Sequence, residues 1–488
     1  MPLDNVLRRV GRCHASVFLT LLALALAPAA ARATVPGHWD PVTPPTGANI
    51  DQVALLRTPD GSLHVVWHQD PPGSDVGTSL IHTVIAPTGM VGPAQTIVSG
   101  WAGIGDATIA RSADGHLLLF APATRSTSGL DPLQSIEQWT SPDDGATWTL
   151  SPAPIAMDGG FADPLGGFLG PDGVTPFVAW GTSDGLMVHR GTDEAVPNAN
   201  LQGAAGFSCC GIDPGVALDG ATGNVVVAWY AIVAQGNAVY ARTIDPSTGQ
   251  PIGTTMQMPG TIGTNTPNQN VGLTGVPGQP GVWAVYTGGG VLATKILVWK
   301  VGGTAATTIA ATRAGGFRTP AISVTPDGRL WVAWSANGRI WAARSNRART
   351  RWGAVTSIPV RRGTQTVYNL ATNAQTGVLD LLAAFSPSST GGVQTWHSQI
   401  DPGLTVTARP QRAAVHPGGS VILSVTVSDA GAGVPGATVI VAGHRGHTSA
   451  RGTLTIKLGP FARATTLHIA AAKRGYGSAT AAARVRVG

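Results

Sequence analysis

Seven side chains recur at one point of a repeated pattern: Asp51, Asp106, Asp163, Asp213, Asn270, Arg318 and Tyr368. Each stands 14 to 17 residues before a large aromatic, namely Trp67, Phe120, Trp180, Trp229, Tyr286, Trp334 and Phe385. Equivalent positions in a repeat become neighbours in space when the repeats close into a ring. Four carboxylates brought together would repel one another unless a cation, ordered water or Arg318 offset them. Such a ring would suit a hard cation such as Ca²⁺, a cationic molecule or a polyhydroxylated sugar. The competing expectation is that each aspartate bonds the backbone of its own or the next repeat and holds no ligand. The residue types alone leave both open.

Cys209 and Cys210 are the only cysteines after Cys13. Adjacent Cα atoms sit about 3.8 Å apart, short of the roughly 4.4–6.8 Å usual for a disulfide. A bridge between them would be strained and would force a tight turn just before Asp213. In an oxidising compartment it is still the expected state. Free thiols and intermolecular bridging are the alternatives; a two-thiolate metal site has no nearby histidine to complete it.

The elements that must position these groups are strands. Each repeat reads as a polar residue, an apolar run, a Gly turn and a second apolar run ending in the aromatic, as in FRTPAISVTPDGRLWVAW. Short apolar runs bounded by Pro-Asp-Gly or Gly-Gly recur throughout, with only two glutamates, Glu137 and Glu194, and little helical period. A spacing of roughly 50–60 residues between aromatics suits one four-stranded propeller blade per repeat. One aromatic per repeat at a fixed place is expected to wedge against the neighbouring sheet rather than to stack a sugar. The last repeat runs into Asp401 without an outer strand. GHWDPVTPP around Trp39 resembles one, so it is expected to complete the last blade and remove an exposed edge. The expected fold class is all-β: a seven-bladed β-propeller (six-bladed as the alternative) followed by a small Ig-like β-sandwich.

One segment carries a family resemblance. Ser141-Pro142-Asp143-Asp144-Gly145-Ala146-Thr147-Trp148 resembles the Asp-box of sialidase-like (BNR-repeat) propellers. Physically it is a hairpin in which Asp143 accepts from turn amides, Gly145 takes a positive φ and Trp148 tucks beneath. Ser345 to Trp352 looks like a worn copy keeping Ser and Trp at matching spacing, and Phe317-Arg318-Thr319-Pro320 resembles the sialidase Arg-x-Pro motif. The resemblance implies an arginine that holds a sugar carboxylate, an Asp acid/base and a Tyr nucleophile activated by Glu. Arg318 and Tyr368 are the catalytic candidates it offers. The departures are substantial: Asp51-Gln52-Val53 stands where the first Arg-x-Pro belongs, neither Glu137 nor Glu194 is placed to activate a tyrosine, and sialidases have six blades.

The chain ends set compartment and charge. Arg8, Arg9 and Arg12, the apolar run from Val17 to Pro28, and Ala31-Arg32-Ala33 read as a signal peptide cleaved before Thr34. The expected division is 1–33 signal peptide, 34–400 propeller and 401–488 basic Ig-like sandwich, secreted or cell-surface associated and monomeric. The overall charge is +6, with +3 before Thr34 and +8 from Asp401 onward, leaving −5 between them. A nucleic-acid partner is therefore not expected despite the high pI. No later segment reads as a membrane span. The alternating strands after Asp401 resemble bacterial Ig-like modules, which the resemblance makes spacers or wall-binding units. Their ten Lys/Arg suit an anionic cell-wall polymer or simple solubility on a spacer.

The leading expectation is a propeller that binds an extracellular ligand, glycan or cation, at its channel mouth without a complete sialidase site. A glycoside hydrolase of the exo-sialidase kind and a structural surface protein are the alternatives. Two carboxylates about 5–10 Å apart across an open pocket would favour the hydrolase; a plugged channel would favour the structural protein.

Overall fold

A computed structural model describes residues 37–44, 52–71, 77–125, 133–157, 162–182, 185–201, 209–233, 236–263, 269–364, 366–386 and 393–488. The segment read as a signal peptide and Asp51 lie outside the described residues, as do the side chains of Asp163, Cys209 and Cys210. The described chain is all-β, with one short 3₁₀ turn at Gly290–Leu292. Among the described residues no helix is long and apolar enough to cross a membrane.

Seven antiparallel sheets follow one another between Asp40 and Ile400. In five of them four strands are hydrogen-bonded in chain order, and the seventh takes its fourth strand from the N-terminal segment. The second sheet splits its innermost strand into Gly103–Ile104 and Thr108–Arg111, both paired with Leu117–Thr124. The innermost strands touch in sequence from Ala54–Arg57 through Thr108–Arg111, Ala162–Leu169, Cys209–Leu218, Gly272–Gly275 and Arg318–Val324 to Thr366–Asn373. That last strand touches the first. The ring is therefore closed, which is the arrangement of a β-propeller.

The closing joint uses the N-terminal segment. Asp40–Pro41 pairs with the outer strand Gln394–Ile400 of the seventh sheet, Asp40 opposite His397 and Pro41 opposite Trp396. Val42 N–H donates to the Thr395 carbonyl at 2.9 Å. Trp39 meets Phe385 edge-on at 4.7 Å and donates its indole N–H to Pro359 O at 2.9 Å. At the other side of the joint Arg57 of the first sheet pairs with buried Asp380 of the seventh, which also meets His397 at 3.0 Å and Gln399 at 2.8 Å.

The repeating aromatics are core. Trp67, Trp180, Trp229 and Tyr286 are fully buried, and Phe120, Trp334 and Phe385 are nearly so. Each belongs to a cluster shared by neighbouring sheets: Trp67 packs with Leu382 and Ala384 of the seventh, and Trp180 packs with Phe120 of the second. Removing one would cost about 3–5 kcal/mol, because the facing sheet cannot follow the lost volume.

After Ile400 two further sheets pack face to face. One contains Thr405–Arg409, Gly419–Asp429, Ala432–Gly433 and Thr453–Phe461; the other contains Arg412–Val415, Ala479–Val487, Thr465–Ala472, Thr438–Val441 and His444–His447. Burial alternates along Gly419–Asp429, as period-2 patterning requires, and Leu423, Val425, Val439, Leu458, Ile469 and Val485 form one core. This unit is docked on the sixth sheet. Buried Asp429 pairs with Arg344 and, at 3.0 Å, with Arg329, while Arg344 lies 5.5 Å over the Tyr476 ring.

Candidate functional site

The residues expected to ring the channel take different positions. Asp106 is fully buried. His68 Nδ1 of the first sheet lies 3.0 Å from its Oδ1. Burial pushes the Asp106 carboxyl up, and His68 and the Gln52 amide only partly offset this. Asp213 is also buried, in a left-handed conformation with φ 53°, and its carbonyl accepts from Val271 N–H at 2.9 Å. Burial first, and the Asp213 charge second, push the Tyr230 hydroxyl upward. Neither aspartate is among the residues that line the cavity on the axis. Tyr368 is half-buried against the Trp67 cluster.

Asn270 does face the axis, where a cavity of about 220 Å³ is lined by small and amide residues including Thr108, Gly166, Gly215, Gln269 and Asn369. Amide bonds cross it. Asn270 N–H donates to Gln52 Oε1 of the first sheet at 2.9 Å, and Asn270 Nδ2 donates to Leu165 O of the third at 2.6 Å. Gln269 donates to Pro320 O at 2.8 Å and accepts from Leu370 N–H at 3.1 Å. Five of the seven inner strands are thus tied together across the axis. Backbone approach there is close: a Cβ at Gly215 would fall 2.0 Å from the Val271 carbonyl oxygen, so only glycine fits.

Arg318 opens a different cavity, about 270 Å³, between the sixth and seventh sheets. It is exposed and its guanidinium has no partner among the described residues. Arg339 lines the same cavity, held by Nε donation to Ser357 Oγ at 2.8 Å and Nη2 donation to Ser357 O at 3.1 Å. Ser335, Asn337, Thr364 and Thr366 supply the remaining polar lining, and no lining residue is acidic. Thr319, next to Arg318, adopts φ 48° and shares a 2.8 Å hydroxyl bond with Ser335, which fixes the arginine's strand start.

The turn that resembles an Asp-box has the bonds its residues imply. Asp143 accepts from Thr147 N–H at 2.8 Å and Thr147 Oγ1 at 2.6 Å, and Gly145 N–H donates to Ser141 Oγ at 2.8 Å with φ 85°. Trp148 tucks against His82 of the first sheet, ring centroids 5.5 Å apart. In the worn copy the acceptor is Asn346, which takes Thr350 N–H at 2.9 Å, and Arg349 adopts the positive φ of 60°. Glu137 is buried and paired with Arg125, Arg125 Nε donating to it at 2.9 Å.

Cys209 and Cys210 start the inner strand of the fourth sheet, with a register shift between Cys209 and Gly211. The chain just before Asp213 is a bulged strand. Among the described residues no group of three His, Cys, Asp or Glu stands close enough to hold a metal ion.

Sequence reasoning missed Arg339, His68 and the Arg57–Asp380–His397 joint. It also missed that charge is local. From Arg313 to Arg362 there are ten arginines against Asp327 alone, a signal that a windowed count would have found.

No known protein-family model matches the chain, and no curated protein matches it. Solved structures similar to it include an α-L-arabinofuranosidase from Fusarium graminearum in complex with an iminosugar inhibitor. That protein is 15% identical, with 75% of this chain and 97% of that one covered at a TM-score of 0.44. The Dos1 propeller is 12% identical over 75% and 95% of the two chains, TM-score 0.40. A β-xylosidase/α-arabinofuranosidase from a compost microbial metagenome, in complex with xylotriose, is 11% identical over 76% and 96%, TM-score 0.34. Likeness at this level says nothing of activity.

Proposed function

We propose that the chain is a secreted, seven-bladed sialidase-like propeller (34–400) carrying an Ig-like sandwich (401–488), and that it binds the carboxylate of an extracellular glycan without hydrolysing it. The observation that carries this reading is the cavity holding Arg318 and Arg339 with no acid beside them. Guanidinium forks match a carboxylate bidentately. An ordinary glycosidase needs two carboxyl groups about 5–10 Å apart facing the substrate, and the sialidase pattern needs an acid beside its tyrosine; Asp106, Asp213 and Glu137 are all buried and no acid lines this cavity. The ligand site is thereby moved off the axis, to the mouth between the sixth and seventh sheets. The reading of a purely structural surface protein draws on the amide bonds that cross the axis.

Binding of a panel of acidic and neutral oligosaccharides to the chain and to Arg318→Gln tests this. The expected outcome is a preference for acidic sugars that falls at least about tenfold in R318Q, the loss of one charge-assisted fork. Equal binding of neutral sugars, or release of sugar product, would overturn it.

A further inference from the structure

The C-terminal sandwich has two unlike faces. The outer face of the sheet built on Gly419–Asp429 is coated with hydroxyls: Thr407, Thr426 and Thr453 stand in one row, and Ser424 faces Thr455. The outer face of the other sheet carries arginine. Arg412 stands beside Arg484 in parallel register and Arg484 beside Thr466, while Arg486 stands beside Ala414. Arg445 closes the far edge opposite Ile440. All four arginines are exposed. Between them Ala470 and Ala482 leave a low floor, with His468 next to Ala482.

No acid opposes this face. Asp429 is the only acidic residue from Pro402 to Gly488, and it is buried against Arg344 and Arg329 of the propeller. Docking the sandwich therefore consumes its single negative charge and leaves a surface of one sign. The chain's sole aromatics in this region, Phe461 and Tyr476, pack against the sandwich core. The arginine face thus has no stacking platform for nucleic-acid bases, and Ile440 is its one exposed large apolar group, too little for a membrane.

We infer that the face bearing Arg412, Arg484, Arg486 and Arg445 binds a linear acidic polysaccharide whose carboxylates repeat along the chain. Neighbouring strands place arginines roughly 5 Å apart and alternate residues on one strand roughly 7 Å apart, so a polymer lying over the sheet meets several forks. His468 and His447 stand ready for the hydroxyls that flank each carboxylate of such a polymer and that a bare polyphosphate lacks. The alanine floor lets the sugar rings approach the strands.

The test rests on no part of the proposed cavity site and uses the full chain in an R318Q background, so that the cavity of the propeller is weakened equally in every arm and the two readings fail separately. Binding to immobilised polygalacturonate is compared for the parent, R484Q/R486Q, and R409Q/K457Q, which removes the same charge from the hydroxyl face. The expected result is a loss of about tenfold or more for R484Q/R486Q and less than about twofold for R409Q/K457Q. Melting temperatures, expected to be unchanged, confirm that each variant is folded. Equal losses for the two pairs would overturn the face. Tighter binding of inorganic polyphosphate or duplex DNA than of polygalacturonate at equal charge would overturn the partner.

Discussion

The seam between the first two sheets and the sixth sheet are built on the same four-stranded plan with opposite electrostatics. At the seam, titratable groups point inward. His64 and His82 stack with 5.2 Å between centroids and His64 Nδ1 3.0 Å from His82 Nε2, and His68 meets Asp106. The sixth sheet contains no histidine, and its arginines reach outward to the Arg318 cavity at one end and to Asp429 at the other. The strand ladder and the wedged aromatic specify the sheet. The ends of the strands then carry whatever charge a neighbouring surface requires.

The largest expected effect breaks the outward side. Asp429→Ala would leave Arg344, 9% exposed, without a carboxylate partner at the joint with the sandwich, and Arg329, 12% exposed, with Asp327 alone. Removing one partner of a buried pair costs about 3–5 kcal/mol. Calorimetry should show the sandwich unfolding at a lower temperature, apart from the propeller. A single unshifted transition would mean the joint is ornamental.

The inward side should break with acid. Burial, and then the neighbouring His64, lower the His82 imidazole from 6.5 to about 4. Burial lowers His64 as well, against the opposing charges of Asp144 and Asp60. The unfolded chain therefore binds protons that the folded chain refuses. Stability is complete above about pH 6.5, falls as pH drops through the window to about 4, and levels below it; His82 contributes at most roughly 3 kcal/mol. Melting followed from pH 7 to pH 4 should show this slope, flattened in His82→Gln. An unchanged slope in that variant would remove His82 from the account.

The sequence carried the ring because period is a local property: seven aromatics at matched spacing, and a lone strand-like segment around Trp39, need no knowledge of distant contacts. It did not carry the site, because side-chain direction at a strand start depends on what lies across the joint. Asp106 and Arg318 occupy equivalent repeat positions, yet one is fully buried facing His68 and the other is exposed. Equivalence in sequence placed their Cα atoms and left their partners undetermined. Asn270 was foreseen at the axis as a ligand group, but its amide is used by Leu165 and its backbone by Gln52. The arginine excess of the sixth sheet was legible and was hidden only by averaging it with the acidic remainder.

The smallest expected effect sharpens the comparison at two turns of like plan. In the second sheet Asp143 gathers Thr147 N–H, Thr147 Oγ1 and Ser141 Oγ, and Asp144 and Gly145 both take a positive φ, with glycine at the position that Arg349 holds in the other turn. In the sixth sheet Asn346 gathers Thr350 and Arg351 N–H, while Arg349 bears the left-handed strain. Arg349 is held there by Gln279 at 2.7 Å and lies 4.5 Å over the Trp283 ring of the fifth sheet. The first turn is therefore closed by its own bonds and the second by contacts with its neighbour. Asp143→Ala removes three bonds to a carboxylate in an exposed turn, and Asn346→Ala removes three weaker, neutral ones from a turn that Arg349 still anchors. Each should lower the melting temperature by only about 1–3 °C, with Asp143→Ala the larger. Adding Arg349→Ala should deepen the Asn346→Ala loss beyond the sum of the two, because either device alone still closes the turn. Strict additivity of that pair, measured by thermal melting, would show that the arginine fastens the fifth sheet to the sixth and has no part in holding the turn.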